Sequence, residues 1–351
     1  MRVIADDKIP YLGGVLEQIA DAEVVYTPGQ GFTPDLVRTA DALLIRTRTR
    51  CDRALLEGSH VQFIATATIG FDHIDTDYCR RAGIAWTNAP GCNSASVAQY
   101  VESALYILQE ARGRPLSTLT LGVVGVGHVG SRVARIGLDL GMRVLLCDPP
   151  REEAGERPAE GVFCPPEALA EACDVITFHV PLSRTGHHAT FHLADTAFFQ
   201  SLKRSPVMIN TSRGEVVDTA ALLQAMDEGR VSDAIIDVWE GEPHINHTLL
   251  YRALLATPHI AGYSADGKAN ATRAVLDALC SHFGIHASYV IAPPPPPCPF
   301  IHASSAADAA LQIYDPRRDC AALRRHPERF EQLRGDYPLR RERTAYTIII
   351  R

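Results

Sequence analysis

The sequence predicts an α/β protein: two parallel-sheet domains, then a small third segment. Three observations predict it. Short β-branched runs alternate with stretches of helical periodicity over roughly the first 270 residues, the pattern of parallel strands joined by crossover helices. A glycine fingerprint follows a buried-strand run at residues 120–124. Five consecutive prolines, residues 293–297, then form an extended spacer ahead of a segment with a different charge pattern.

Composition supports this class. A chain of 351 residues bounds the answer to about two domains, three at most. With 46% hydrophobic and 21% charged residues it is neither disordered nor fibrous. No apolar run reaches the ~18 residues of a membrane span, and the opening MRVIADDKIP reads as a strand rather than a leader. The balance of 34 basic against 41 acidic residues weighs against nucleic acid or an anionic membrane as partner. Nine cysteines without a C-x-x-C read as reduced thiols of a cytoplasmic protein, and no ligand spacing suggests a metal.

The elements follow in order. Strands are expected at VIAD (3–6), EVVYTP (23–28), ALLIRT (42–47), FIATAT (63–68) and IAWTN (84–88), with helical stretches at 11–22 and 33–42 between them. Ser94–Arg112 is one uninterrupted helical pattern, long enough to connect two domains. TLGVV (120–124) leads into Gly125-x-Gly127-x-x-Gly130, an amphipathic helix, the strand MRVLLC (142–147) and Asp148. Each part has a physical reason. Gly125 permits the tight turn, Gly127 lets backbone approach a pyrophosphate, and Gly130 allows close helix packing. The N–H groups of His128 and Val129 open the helix toward the phosphates. Asp148 accepts from the ribose hydroxyls of NAD and repels the 2′-phosphate of NADP. Arg151, beyond two prolines, reads as a solvated surface arginine. This is a doubly wound, Rossmann-like domain, expected over residues 96–266.

Three later motifs fall in strand-end loops, where such sheets bind ligands: Arg213 in VMINTSRGEVVD, Asp237 and Glu242 in AIIDVWEGEP, and His259 in ATPHIAGYS. Alone, each has a plain explanation: a loop ion pair, a helix cap, a satisfied core histidine. Together, downstream of a dinucleotide fingerprint, they suit oxidation of a 2-hydroxy acid. A guanidinium forks onto the carboxylate, a histidine takes the hydroxyl proton, and a glutamate orients it. His179 in FHVPL is either a core residue or a neighbour of the adenosine.

VGVGHVG, FHVPL, INTSRGEVVD, DVWEGEP and TPHIAG, in that order, resemble the D-2-hydroxyacid dehydrogenase family over roughly residues 40–270. The resemblance implies two α/β domains with an active-site cleft between them, the nucleotide domain inserted into the substrate domain. Residues 1–95 and 267–290 would form the latter. It places the family's catalytic groups on Arg213, Glu242 and His259.

A narrower resemblance, carried by IRTRT, TATIGFDHID, NAPGCNSASVAQYV, LLCDPPR and TPHIAGYSADGKA, is to a branch acting on a phosphorylated 2-hydroxy acid. It implies substrate contacts at Thr47, Thr68 and Tyr263, and an NAD site including Asp148, Thr177, Thr211, Ser212, Asp237 and Gly262. YDPRRDCAALR and FEQLRGDYPLRRER resemble that branch's small α+β C-terminal dimerisation domain, which the resemblance implies in a shortened form at residues 301–351, after a linker at 291–300. The chain would be a homodimer. A second anion site is expected where Arg46, Arg48 and Arg50 would share one strand face; Arg46, beside Thr47, is favoured. Alternatives are a relative acting on 3-phosphoglycerate, glycerate or lactate, and a non-enzymatic NAD(H) sensor.

Overall fold

The computed structural model describes residues 1–19 and 23–351, which fall into two compact units. The first comprises Met1–Asn93 and Ser264–Pro295. Its elements are β1 (Arg2–Asp6), α1 (Leu16–Ile19), β2 (Glu23–Thr27), α2 (Pro34–Val37), β3 (Ala42–Ile45), α3 (Arg53–Leu56), β4 (Phe63–Thr66), α4 (Thr76–Ala82), β5 (Ala85–Thr87) and a long helix, α12 (Ala265–Phe283). The sheet is wholly parallel, in the order β2-β1-β3-β4-β5. Successive side chains point to opposite faces. Val3, Ala5, Leu44 and Ala65 therefore pack with Val275, Leu276 and Leu279 of α12, and Ile4, Leu43 and Ile64 pack with Val37, Leu56 and Cys79 on the other face. Burial on both faces explains why the strands are continuous apolar runs.

The short helices differ from their periodicity. α2 covers four residues of the expected 33–42, because the chain turns after Arg38 to bury Ala40 beneath the sheet. Positions 20–22 of the expected stretch 11–22 lie outside the described residues. The strand face expected for three arginines is absent. β3 ends at Ile45, and residues 46–50 form a turn closed by Thr49 N–H to Arg46 O at 3.1 Å. Thr49 causes the break: its buried hydroxyl donates to Gly29 O at 2.9 Å, pulling the chain out of the sheet. Arg46 turns to Lys8 O at 3.2 Å, and Arg50 pairs with Asp52 at 3.0 Å.

The second unit comprises Ser94–Tyr263 and Pro296–Arg351. It opens with α5 (Ser94–Arg112) and continues through β6 (Thr120–Val124), α6 (His128–Asp139), β7 (Arg143–Cys147), α7 (Pro149–Glu153), α8 (Pro166–Ala172), β8 (Val175–Phe178), α9 (Thr196–Ser201), β9 (Val207–Asn210), α10 (Thr219–Asp227), β10 (Asp233–Ile236), α11 (His247–Arg252) and β11 (Leu255–Ala256). The parallel order is β11-β10-β9-β8-β6-β7, so the winding reverses between β6 and β8. That switch point is where such sheets open a crevice for ligands.

The proline run has no regular structure, and β12 (Phe300–Ala303), α13 (Ala306–Ile313), α14 (Arg317–Arg325), α15 (Phe330–Gly335) and β13 (Thr347–Ile350) follow it. β12 and β13 pair in parallel. Ala310, Tyr314, Leu323 and Phe330 share one apolar core with Tyr100, Leu250 and the six-stranded sheet. Ser103 Oγ donates to Tyr314 O at 2.8 Å within that core. Among the described residues no helix is long and apolar enough to cross a membrane.

Candidate active site

The carboxyl ends of the second unit's strands carry the candidate groups side by side. At the end of β6, Gly125 adopts φ 83°, open to glycine at little strain. A Cβ at Gly130 would lie 1.9 Å from Gly125 O, so the helix can start this close only with glycine there. At Gly127, by contrast, a Cβ would meet no described atom within 4 Å. The loop is cradled from behind and open in front, and the first N–H groups of α6, from His128 and Val129, face that opening. Asp148, at the end of β7, accepts from Val126 N–H at 2.8 Å. It fixes the glycine loop and keeps lone pairs for a ribose. The residues fit a dinucleotide.

Arg151 is not a freely solvated arginine. Its guanidinium hydrogen-bonds Val126 O of the glycine loop and pairs with Glu156 at 2.8 Å. Two prolines at the start of α7 fold the chain back and bring it there. Thr177 and Thr211, on neighbouring strand ends, are bridged by His179, with Nε2 2.9 Å from Thr177 Oγ1 and Nδ1 3.4 Å from Thr211 Oγ1. Burial pushes the His179 imidazole down to about 3, so it is a neutral spacer.

The turn after β9 is shaped by Asn210, which the sequence reading did not single out. Its Oδ1 accepts from Ser212 N–H and Oγ–H, and its Nδ2 donates to Arg213 O at 2.9 Å. A Cβ at Gly214 would lie 2.0 Å from the Trp239 carbonyl, so the Arg213 turn lies flat against the Trp239–Glu240 backbone. The two loops are thereby locked together. Glu242 Oε1 accepts from Trp239 N–H at 2.9 Å, and Oε2 lies 2.8 Å from His259 Nδ1. Burial tends to raise the Glu242 carboxyl. The His259 hydrogen bond and charge, the Trp239 N–H and Arg334 outweigh it and hold the group below the ordinary carboxylate range.

His259 is a non-glycine residue at φ 57°, a conformation that persists only when its surroundings impose it. Asp237 imposes it. Its buried carboxylate accepts from Thr257 Oγ1 at 2.7 Å, Ile260 N–H at 2.8 Å and Ala261 N–H at 2.9 Å, and its carbonyl accepts from His259 N–H. Burial raises the Asp237 carboxyl, and the His259 charge and these hydrogen bonds oppose that rise. Both Asp237 oxygens serve the loop. Gly262 and Tyr263 follow directly, half-buried.

Thr47, Thr68 and Arg46 belong to the first unit. Thr47 is exposed in the turn after β3. Thr68 Oγ1 lies 2.7 Å from Thr66 Oγ1, which is 3.0 Å from His73 Nε2. No metal-ligand spacing is visible in the sequence, yet the fold brings Glu153, His187 and His188 together with ligating atoms within 4.8 Å of one another. His188 and Glu153 are an exposed pair at 2.9 Å.

Residues 94–261 match the family described as D-isomer specific 2-hydroxyacid dehydrogenase, NAD binding domain, and residues 300–351 match a domain of unknown function (DUF3410). The chain is 61% identical over 350 residues to the erythronate-4-phosphate dehydrogenase of Bacteroides fragilis, covering 100% of this chain and 99% of that protein. It is 44% identical over 357 residues to the enzyme of that name from Porphyromonas gingivalis, covering 99% and 95%. Among solved structures it resembles a D-lactate dehydrogenase from Aquifex aeolicus complexed with NAD and lactic acid (27% identity, TM-score 0.63, covering 80% of this chain and 95% of that one). It also resembles a cofactor-bound 3-phosphoglycerate dehydrogenase from Entamoeba histolytica (25% identity, TM-score 0.66, 83% and 99%).

Proposed function

We propose, from the premise that the chain belongs to the erythronate-4-phosphate dehydrogenases of the D-isomer specific 2-hydroxyacid dehydrogenase family, that it oxidises 4-phospho-D-erythronate to the 2-oxo acid, (R)-3-hydroxy-2-oxo-4-phosphooxybutanoate. The observation that carries the reading is the 2.8 Å contact between Glu242 and His259 Nδ1, on the same row of strand ends as the glycine cradle. With Nδ1–H donated to the carboxylate, Nε2 keeps the lone pair that takes the C2 hydroxyl proton. Glu242 stabilises the imidazolium so formed. Arg213 forks onto the substrate carboxylate and the developing carbonyl. NAD, when bound, accepts the hydride from C2. Gly125, Gly127, Gly130, Asp148, Thr177, Thr211 and Ser212 hold the cofactor. Thr47, Thr68 and Tyr263 contact substrate, with Arg46 on the phosphate. The reaction serves pyridoxal 5′-phosphate synthesis in the cytoplasm. Exposed Phe300, Ile349 and Ile350 on the β12–β13 ribbon support a homodimer.

The test is NADH formation from 4-phospho-D-erythronate with a carbonyl trap, beside unphosphorylated erythronate. Turnover is expected on the phosphorylated acid alone, and His259→Ala is expected to lower kcat by about 10²- to 10⁴-fold. Turnover of a different 2-hydroxy acid would overturn the substrate. NADH binding without turnover of any acid would point to a sensor.

A further inference from the structure

Two arginines of the C-terminal segment reach the loops that carry the Glu242–His259 pair. Arg334 of α15 brings Nη1 within 3.7 Å of Glu242 Oε2 and shares a hydrogen bond with the Tyr263 side chain. It is half-buried, and its Nε has no hydrogen-bond partner among the described residues. A guanidinium partly withdrawn from water needs compensation, and the Glu242 carboxylate contributes it. Arg340 lies over the Tyr314 ring at 3.9 Å and donates to Ile260 O at 3.1 Å, Tyr263 O at 3.0 Å and Ala261 O. The His259 loop is thus held by Asp237 on one side and by the C-terminal segment on the other.

We propose that Arg334 is a positioning residue for the Glu242–His259 pair, so that the segment matching a domain of unknown function completes the proton-transfer site. This rests on the assignment of that pair as the catalytic acid–base. Oε1 is anchored by Trp239 N–H. Both oxygens reach His259 Nδ1, Oε1 at 3.1 Å and Oε2 at 2.8 Å, and Oε2 also faces Arg334, whose guanidinium holds the carboxylate in that orientation. The Asp237 charge also acts on His259; Glu331 and the Tyr263 side chain face Arg334, and Asp319, Tyr314 and Tyr337 face Arg340. Removing the Arg334 charge withdraws a group that favours the ionised carboxylate and disfavours the imidazolium. Both effects raise the pH needed for an ionised Glu242 beside a neutral His259.

The experiment compares full-length wild type with Arg334→Gln, Arg334→Lys, Glu242→Gln and the Arg334→Gln/Glu242→Gln double variant. Arg334→Gln is expected to lower kcat about ten-fold with KM for NAD unchanged. The acid limb of kcat/KM is expected to move to higher pH, and lysine to return it. The double variant should be no slower than Glu242→Gln alone, because the arginine acts through the glutamate. Wild-type kcat and an unmoved limb in Arg334→Gln would overturn the proposal, as would losses that multiply in the double variant. Arg334→Met gives the same comparison should glutamine not fold. A fully active Glu242→Gln would instead overturn the acid–base assignment itself, a result distinct from a silent Arg334 variant beside an inactive Glu242 one.

Discussion

At the scale of single residues, the site depends on side chains that hold other side chains. Asn210 shapes the turn that presents Arg213, Asp237 shapes the loop that presents His259, and Trp239 N–H anchors Glu242. Arg46 is of another kind. It is half-buried and donates to the Lys8 carbonyl, an acceptor that a substrate phosphate can replace. A charge-assisted hydrogen bond is worth about 1.5–3 kcal/mol. Arg46→Ala should therefore raise KM for the phosphorylated acid by roughly 10- to 100-fold. Initial-rate kinetics on the unphosphorylated analogue check it, since equal losses on both acids would separate Arg46 from the phosphate.

Among elements, the β6–α6 turn separates two uses of glycine. Gly130 is required by packing, because its place is taken by the Gly125 carbonyl, whereas Gly127 faces open space. Gly130→Ala should lower stability by about 3 kcal/mol or more, read as a fall in melting temperature. Gly127→Ala should leave the melting temperature nearly unchanged and weaken NADH binding, read by fluorescence titration. Matching losses in both variants would contradict the division. Elements also differ in how legible they were. α5 spans the residues expected from its periodicity, because nineteen residues without a breaker have few alternatives. α2 and the end of β3 were not legible, because tertiary contacts of Ala40 and Thr49 decide them.

On the scale of the whole molecule, buried titratable groups set the acid limit of stability. The His179 imidazole is held down to about 3, while an unfolded histidine titrates near 6.5. Between those values the unfolded chain binds the extra proton, so stability falls as pH drops through that window. The depressed Glu242 acts the same way, its contribution being lost as pH falls through and below the ordinary glutamate range. Asp237 has the opposite sign: its raised carboxyl lowers stability as pH rises past the ordinary aspartate range. His179→Gln should give a shallower fall in melting temperature between pH 6.5 and 4 than wild type, and an identical slope would exclude His179 as the cause. The strand-end placement of the glycine fingerprint and of Arg213, Glu242 and His259 was legible, because each follows closely on a continuous apolar run. Arg334 and Arg340 were not. In an arginine-rich stretch they look like solvated charge, and only the fold shows them meeting loops about eighty to ninety residues upstream.

That distance in sequence has a consequence in time. Arg340 lies 77 residues beyond Tyr263, whose carbonyl it caps. At ribosomal speeds of about 5–20 residues per second, the intervening stretch takes roughly 4–15 s to emerge. Throughout that interval the nucleotide fold has its whole sheet, while the loop bearing His259 still lacks half of its supports. The nascent chain matures in order: a cofactor-binding fold first, and a His259 loop held by both Asp237 and Arg340 only later.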